Sequence, residues 1–240
     1  MPLLPFPAGA RRALFLRREK RFKVLVELDG RQVWVHTNNS GSMRGLLTPG
    51  AAALVSPAAN PDRALAWTLE ALAVDGGWAS VNTLAPNRML RAAFQAGLLP
   101  ELAGCDAYRP EVRSGDSRLD ACFQGPAGEV WVEAKNVTLA QGPAALFPDA
   151  ATERGRRHLR ELMRLAAGGR RVAGFYLVSM PLARCFAPAA DIDPDYATLF
   201  AQALAAGVEA WPYRAEVGEV GLDLGPRLPL CPPAAVPRPA

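Results

Sequence analysis

The sequence predicts a mixed α+β protein in two parts. The first is a small OB-like β-barrel over residues 1–83, and the second a mixed α/β domain over residues 84–240. Three observations predict this. Between residues 21 and 83, short runs of β-branched and aromatic residues alternate with turn signals. After Thr83, amphipathic segments of helix length appear among the strands. Half of the 240 residues are apolar against 21% charged, a globular balance with enough chain to bury a core without disulfide staples.

The chain opens on MPLLPFPAGARRALFLRREKRF, apolar but broken by prolines and then arginines. It lacks the basic-then-apolar order of a signal peptide, and no run approaches the roughly 18 apolar residues of a membrane span. Residues 1–23 are read as a basic N-terminal arm. Five strands follow: RFKVLVEL, RQVWVHT, AAALVSP, AWTLEALAV and WASVNT. Asp29-Gly30, between the first two, is a hairpin signal. An SH3-like barrel would produce the same pattern.

In the second part, residues 86–96 read as a helix, with Pro86 in its first turn and Gly97 at its stop. Three strand-like segments come next, YRPEVR, SRLDACF and EVWVEAK, the last two forming a hairpin about QGPAG. Residues 149–167 form a second helix. Leu159, Leu162, Met163 and Ala166 make its apolar stripe, and Arg154, Arg157, Arg160 and Arg164 lie on a neighbouring face. RVAGFYLVSM reads as a strand buried on both faces. Residues 196–206 are a third helix and VEAWPYRA a last strand, so the order is αβββαβαβ. A tail with prolines 226, 229, 232, 233, 237 and 239 is expected to be extended or disordered.

The net charge of +4 hides a local pattern. Residues 1–23 carry seven basic side chains against Glu19, and residues 153–171 carry seven arginines against Glu153 and Glu161. Two separate basic clusters fit either a polyanion-facing surface or a solvated charged face. Of the 27 basic residues only Lys20, Lys23 and Lys135 are lysines. Arg cannot easily replace Lys where a titratable point charge is needed, which singles out Lys135. Cys105, Cys122, Cys185 and Cys231 are scattered with no CxxC pair, so neither a zinc framework nor a disulfide scaffold is expected, and a reducing cytoplasm fits best.

The stretch that carries chemistry is Asp120 followed by Glu133-Ala134-Lys135. On a strand, Glu133 and Lys135 share a face, and hairpin pairing brings Asp120 close to Glu133. Two converging carboxylates can hold a hard divalent cation, Mg²⁺ or Mn²⁺, that keeps some of its waters. A neighbouring lysine can orient or help deprotonate a water held there, while the metal offsets charge on a phosphate. The bland alternative is an ordinary surface ion pair. The D-x12-E-x-K spacing inside an αβββαβ order resembles the PD-(D/E)XK nuclease superfamily. Such sites often take another acid from the first helix, but residues 86–97 contain none. Glu111 and Glu101 are left as alternatives for a third ligand, the latter better read as a solvated carboxylate.

Longer segments resemble one family. VNTL, NR at 87–88, PELAGCDAYRPEVRSGDSRLD, VEAKNVTL, FPDAATERGRRHLREL, FAPAADIDPDY and NNSGSMRGLLTPG are similar to segments of the sugar fermentation stimulation protein A (SfsA) family. The resemblance implies an OB-like N-terminal domain, a PD-(D/E)XK nuclease-like C-terminal domain, DNA binding, and a link to sugar-utilisation genes. It places Asp120, Glu133 and Lys135 in the catalytic motif, with Asp120 and Glu133 as metal ligands.

Other residues keep two readings each. Arg17, Arg18, Lys20 and Arg21 in the arm, and Arg118, Arg154, Arg157 and His158 in the second part, are expected to contact DNA; Arg118 could equally pair with a carboxylate, and His158 could be a plain surface residue. Thr152 can cap its helix, and Glu153 either supports metal or water near the site or simply complements the helix dipole. His36 and the Asn38–Met43 loop are either a ligand loop or a turn. Trp34, Trp67, Trp78 and Trp131 are read as core sooner than as base-stacking platforms. The expected function is DNA binding with Mg²⁺-dependent phosphodiester hydrolysis, the alternative being a non-catalytic DNA-binding regulator on the same scaffold. The expected partner is DNA, with no membrane and with a homodimer as one option for assembly.

Overall fold

The structure is a computed structural model that describes residues 1–115 and 117–232. Its first strand, β1 (Leu4–Pro5), is followed by β2 (Arg11–Glu19), β3 (Lys23–Leu28), β4 (Arg31–His36), β5 (Ala52–Pro57), β6 (Trp67–Val74) and β7 (Gly77–Ser80). Strands β2 to β7 form one sheet in the order β4-β3-β2-β5-β6-β7, and a β4–β6 pairing at His36 and Thr68 closes β2 to β6 into a five-stranded barrel. Strand alternation sends Val24, Val26, Val35, Val55 and Leu69 into its core. Asp29 and Gly30 both have positive φ, 52° and 71°, at the β3–β4 hairpin that their sequence predicts.

The expected basic arm is corrected: residues 11–19 are a barrel strand. Ala13 and Phe15 point into the core while Arg11, Arg12 and Arg17 are exposed. Arginine density hides an alternation that only two inward residues carry. The first residues also differ from expectation, because β1 pairs antiparallel with β16 in the other sheet.

The second part contains α1 (Ala85–Gln95), a 3₁₀ turn (Pro100–Leu102), β8 (Ala107–Ser114), β9 (Ser117–Gly125), β10 (Gly128–Val137), β11 (Leu139–Gln141) and β12 (Ala144–Phe147). It continues through α2 (Glu153–Ala167), β13 (Arg171–Val178), β14 (Cys185–Pro188), α3 (Pro194–Ala205), β15 (Glu209–Val217) and β16 (Gly221–Arg227). The main sheet runs β1-β16-β15-β13-β10-β9-β8. Its centre, β10-β13-β15, is parallel, and the connections through α2 and α3 lay both helices on one face. Helix α1 covers the other face, where Met89, Leu90, Phe123, Phe175 and Trp211 are buried together. This is the expected αβββαβαβ core with β16 added.

Three further features were not expected. Strands β11, β12 and β14 form a separate small sheet. The proline-rich tail begins with an ordered strand, β16, which contains Pro226, and Leu230 bridges to Phe186; Pro233, Pro237 and Pro239 lie outside the described residues. Cys185 and Cys231 form a disulfide with Cα atoms 4.9 Å apart, a pairing that their scattered spacing did not suggest. The residues lie 46 apart in sequence, and only the fold brings them together.

The barrel core and the α2–α3 face of the main sheet share one apolar cluster that includes Val81, Val137 and Met180. Polar contacts reinforce this junction: Asn136 donates to the Ser80 carbonyl at 3.0 Å, and Asp149 accepts the Met43 N–H at 2.9 Å. No helix among the described residues is long and apolar enough to cross a membrane.

Candidate metal centre

The β9–β10 hairpin runs in register from Gly125–Gly128 to Ala121–Val132, and then its strands part while β10 continues beside β13 to Val137. The Asp120 carboxylate fills the fork. Its Oδ2 accepts the Ala134 N–H at 2.8 Å, in place of a ladder carbonyl, and its Oδ1 accepts Asn87 Nδ2 of α1 at 2.8 Å. On the other edge of β9, Glu111 stands opposite Asp120, between the Pro110–Ala121 and Val112–Leu119 pairs, with a positive φ of 52°.

Glu133 is 3% exposed. Its Oε1 takes hydrogen bonds from Lys135 Nζ and His158 Nδ1, and Lys135 Nζ lies 3.2 Å from that same ring nitrogen. Its Oε2 is buried with no hydrogen-bond partner. Leu159, Leu162, Tyr176 and Tyr196 wall the small cavity around this group. Gly174 is required there, since a Cβ would sit 2.8 Å from the Tyr176 ring.

The two carboxyls are driven apart in acidity. Burial, and then the charge of Glu133, hold Asp120 above its ordinary value. Burial also opposes ionisation of Glu133, but the Lys135 charge and the His158 hydrogen bond outweigh it and bring Glu133 down to about 2. Among the described residues no three His, Cys, Asp or Glu side chains gather as a cage. Two carboxylates with one free oxygen suit a cation that keeps waters better than a closed site.

The structure therefore brings Asp120, Glu133 and Lys135 together. It does not leave His158 on the arginine face: the ring is 3% exposed, turned inward onto Glu133 and Lys135, so its expected phosphate contact is corrected. Arg154 and Arg157 are exposed with no carboxylate partner among the described residues. Arg160 and Arg164 on that face are engaged, with Glu153 and Glu161. Thr152 caps α2 through Gly155 N at 3.0 Å, as expected. Arg118 is exposed and lies 3.4 Å from Glu111. Glu101 is neither ligand nor solvated: its side chain is 6% exposed, held by Tyr213 at 2.9 Å and Arg227 at 2.7 Å.

In the barrel, Lys20 and Arg21 are exposed at the β2–β3 turn, and Arg17 stacks over Trp34. Arg18 is corrected as a DNA contact, because its guanidinium turns inward to the carbonyls of Gly41, Asn39 and Arg21 at 2.7–2.8 Å. Burial lowers its pKa, and it holds the Asn38–Met43 loop in place. Asn87 was missed because an acid was sought in α1, and an amide orients Asp120 without adding charge. His158 was assigned to the DNA-facing surface because helix periodicity alone did not show that its face meets Glu133.

A family model described as the sugar fermentation stimulation protein RE domain matches residues 84–221, and one described as the SfsA N-terminal OB domain matches residues 16–81. The chain is 55% identical over 226 residues to a sugar fermentation stimulation protein homolog of Syntrophobacter fumaroxidans, covering 94% of this chain and 87% of the relative. A homolog from Maridesulfovibrio salexigens is 53% identical, with 95% and 97% covered. The structure of Pyrococcus furiosus SfsA in complex with Ca²⁺ is similar at a TM-score of 0.89 and 30% identity, covering 97% of this chain and 100% of that one.

Proposed function

This chain belongs to the sugar fermentation stimulation protein family, and from that premise we propose that it binds DNA and hydrolyses phosphodiesters at a Mg²⁺- or Mn²⁺-dependent site of the PD-(D/E)XK kind. One observation carries the reading: Asp120 and Glu133 are withdrawn from water at one strand fork, the charge of Glu133 resists ionisation of Asp120, and Glu133 Oε2 has no partner. A divalent cation held by both carboxylates would relieve the repulsion and partner the orphaned oxygen. The Pyrococcus furiosus relative was solved with Ca²⁺, a cation that also selects oxygen ligands.

Asp120 and Glu133 would hold the metal, which when bound supplies a Lewis acid that offsets charge developing on the phosphate. Asn87 keeps Asp120 turned into the fork. Lys135, fixed by Glu133 and His158, presents Nζ to orient the attacking water. Arg154 and Arg157 grip the DNA backbone, so affinity falls steeply with salt.

The test is to incubate supercoiled, linear and single-stranded DNA with Mg²⁺ or Mn²⁺ and the wild type, Glu133→Gln or Lys135→Ala. Cleavage falls about 10²-fold or more in both variants, while DNA binding persists. Cleavage unchanged in both variants overturns the site. Metal-independent binding without cleavage by the wild type selects the second reading, which the family name supports: a non-catalytic regulator of sugar-utilisation genes.

A further inference from the structure

The barrel carries a patch that the metal centre does not use. Strand β2 ends at Glu19, the chain turns through Lys20 at φ 55°, and β3 starts at Lys23. Lys20, Arg21, Phe22 and Lys23 are all exposed, Phe22 at 46%. The tip is held rigidly. The Phe22 carbonyl accepts the Thr37 N–H at 3.1 Å, the Arg21 carbonyl accepts Arg18 at 2.8 Å, and the Phe22 ring stacks on His36 with centroids 6.1 Å apart and planes 24° apart.

Register extends the patch across the outer face. Lys23 pairs with His36, Leu25 with Trp34, and Arg17 with Leu25. Residues two apart share a face, so Arg17, Lys23, Trp34 and His36 all point outward, while Val24, Val26 and Val35 fill the core. Arg17 lies over the half-buried Trp34, 5.4 Å from the ring centroid. An aromatic that rests on His36 and is 46% exposed, flanked by Lys20, Arg21 and Lys23, combines a stacking surface with phosphate-seeking charge, and Glu19 is the one acid at the tip.

We propose that the β2–β3 tip, with Phe22 on His36 as its platform, binds unpaired nucleotides of single-stranded DNA, so that the protein acts on single strands, frayed ends or junctions in preference to intact duplex. In a duplex both faces of each internal base are already stacked, whereas an unpaired base offers a free face to Phe22. The cations contact the backbone of either form. The tip also borders the junction to the metal centre: Arg18 holds the Gly41 carbonyl, Asp149 holds Ser42 and Met43, and α2, which begins four residues after Asp149, places His158 on Glu133. This inference deepens the DNA reading above and rests on it.

The test measures binding of a labelled oligo-dT strand and of a duplex of equal length to the full chain, by fluorescence anisotropy in EDTA. Phe22→Ala weakens oligo-dT binding about ten-fold or more and leaves duplex binding within about two-fold. Phe22→Trp restores it, and its added indole emission is quenched by oligo-dT. Arg21→Ala weakens both DNAs and lowers the salt slope by about one. Equal loss on both DNAs in Phe22→Ala, or no loss, overturns the platform and leaves the DNA reading intact. Failure of the wild type to bind either DNA overturns the DNA reading itself.

Discussion

Glu133 shows how one side chain can be costly to bury and still be charged. Burial opposes its ionisation, and Lys135 and His158 outweigh that cost, bringing its folded value down to about 2 from 4.5. A carboxyl depressed on folding contributes stability that is fully present above the unfolded value and is lost as pH falls through the folded one. In metal-free protein the contribution is about 3 kcal/mol, present above roughly pH 4.5 and lost toward pH 2. Urea midpoints of the wild type are expected to fall across that window, and Glu133→Gln to fall less; parallel curves would refute it. Asp120 runs the other way, its carboxyl raised by burial and by Glu133. Two neighbouring carboxyls with opposite shifts mark this fork as a candidate functional site.

At the scale of elements, the Asn38–Met43 loop acts as a latch between barrel and main sheet. Arg18 holds its carbonyls, and Asp149 accepts from Met43 N at 2.9 Å and from Ser42, whose hydroxyl also reaches the Asp149 carbonyl at 2.7 Å. Gly41 admits Asp149 so closely that a Cβ there would lie 2.6 Å from its carboxylate. Asp149→Ala is expected to cost about 1.5–3 kcal/mol by chemical denaturation, as for hydrogen bonds to a charged group, and Gly41→Ala to destabilise in the same direction. An unchanged midpoint in both would remove the latch. This loop was legible as a turn from its Asn and Gly residues, but its partner lies 106 residues away. Strand β2 was illegible for a related reason. Four of its nine residues are arginines, three of them exposed, and its identity comes from pairing with β3 and β5 on either side.

At the scale of the molecule, the ends of the chain close onto distant parts. Strand β1 pairs with β16, Arg12 pairs with Glu219, and Cys231 is bonded to Cys185. The disulfide closes a loop between residues 46 apart in sequence and is expected to contribute about 2–4 kcal/mol. Reduction should therefore lower the melting temperature of the wild type and leave that of Cys231→Ser unchanged, at the level of the reduced wild type. A wild type insensitive to reductant would argue against the bond. Cys105 and Cys122 remain free thiols, the second buried.

The sequence by itself determined the α+β class, the barrel before the α/β core, the order of helices and principal strands, and the D-x12-E-x-K motif with its lone lysine. These rest on local periodicity, turn chemistry and spacing, which a short window of sequence contains. Only the tertiary structure decided that His158 turns inward, that Asn87 stands where an acid was sought, that Arg18 serves a loop, that Glu101 belongs to Tyr213 and Arg227, and that Cys185 meets Cys231. Each of those depends on which helix face meets which strand, or on which residues far apart in sequence come together. Burial and electrostatics set those choices across the whole chain, and no local pattern records them.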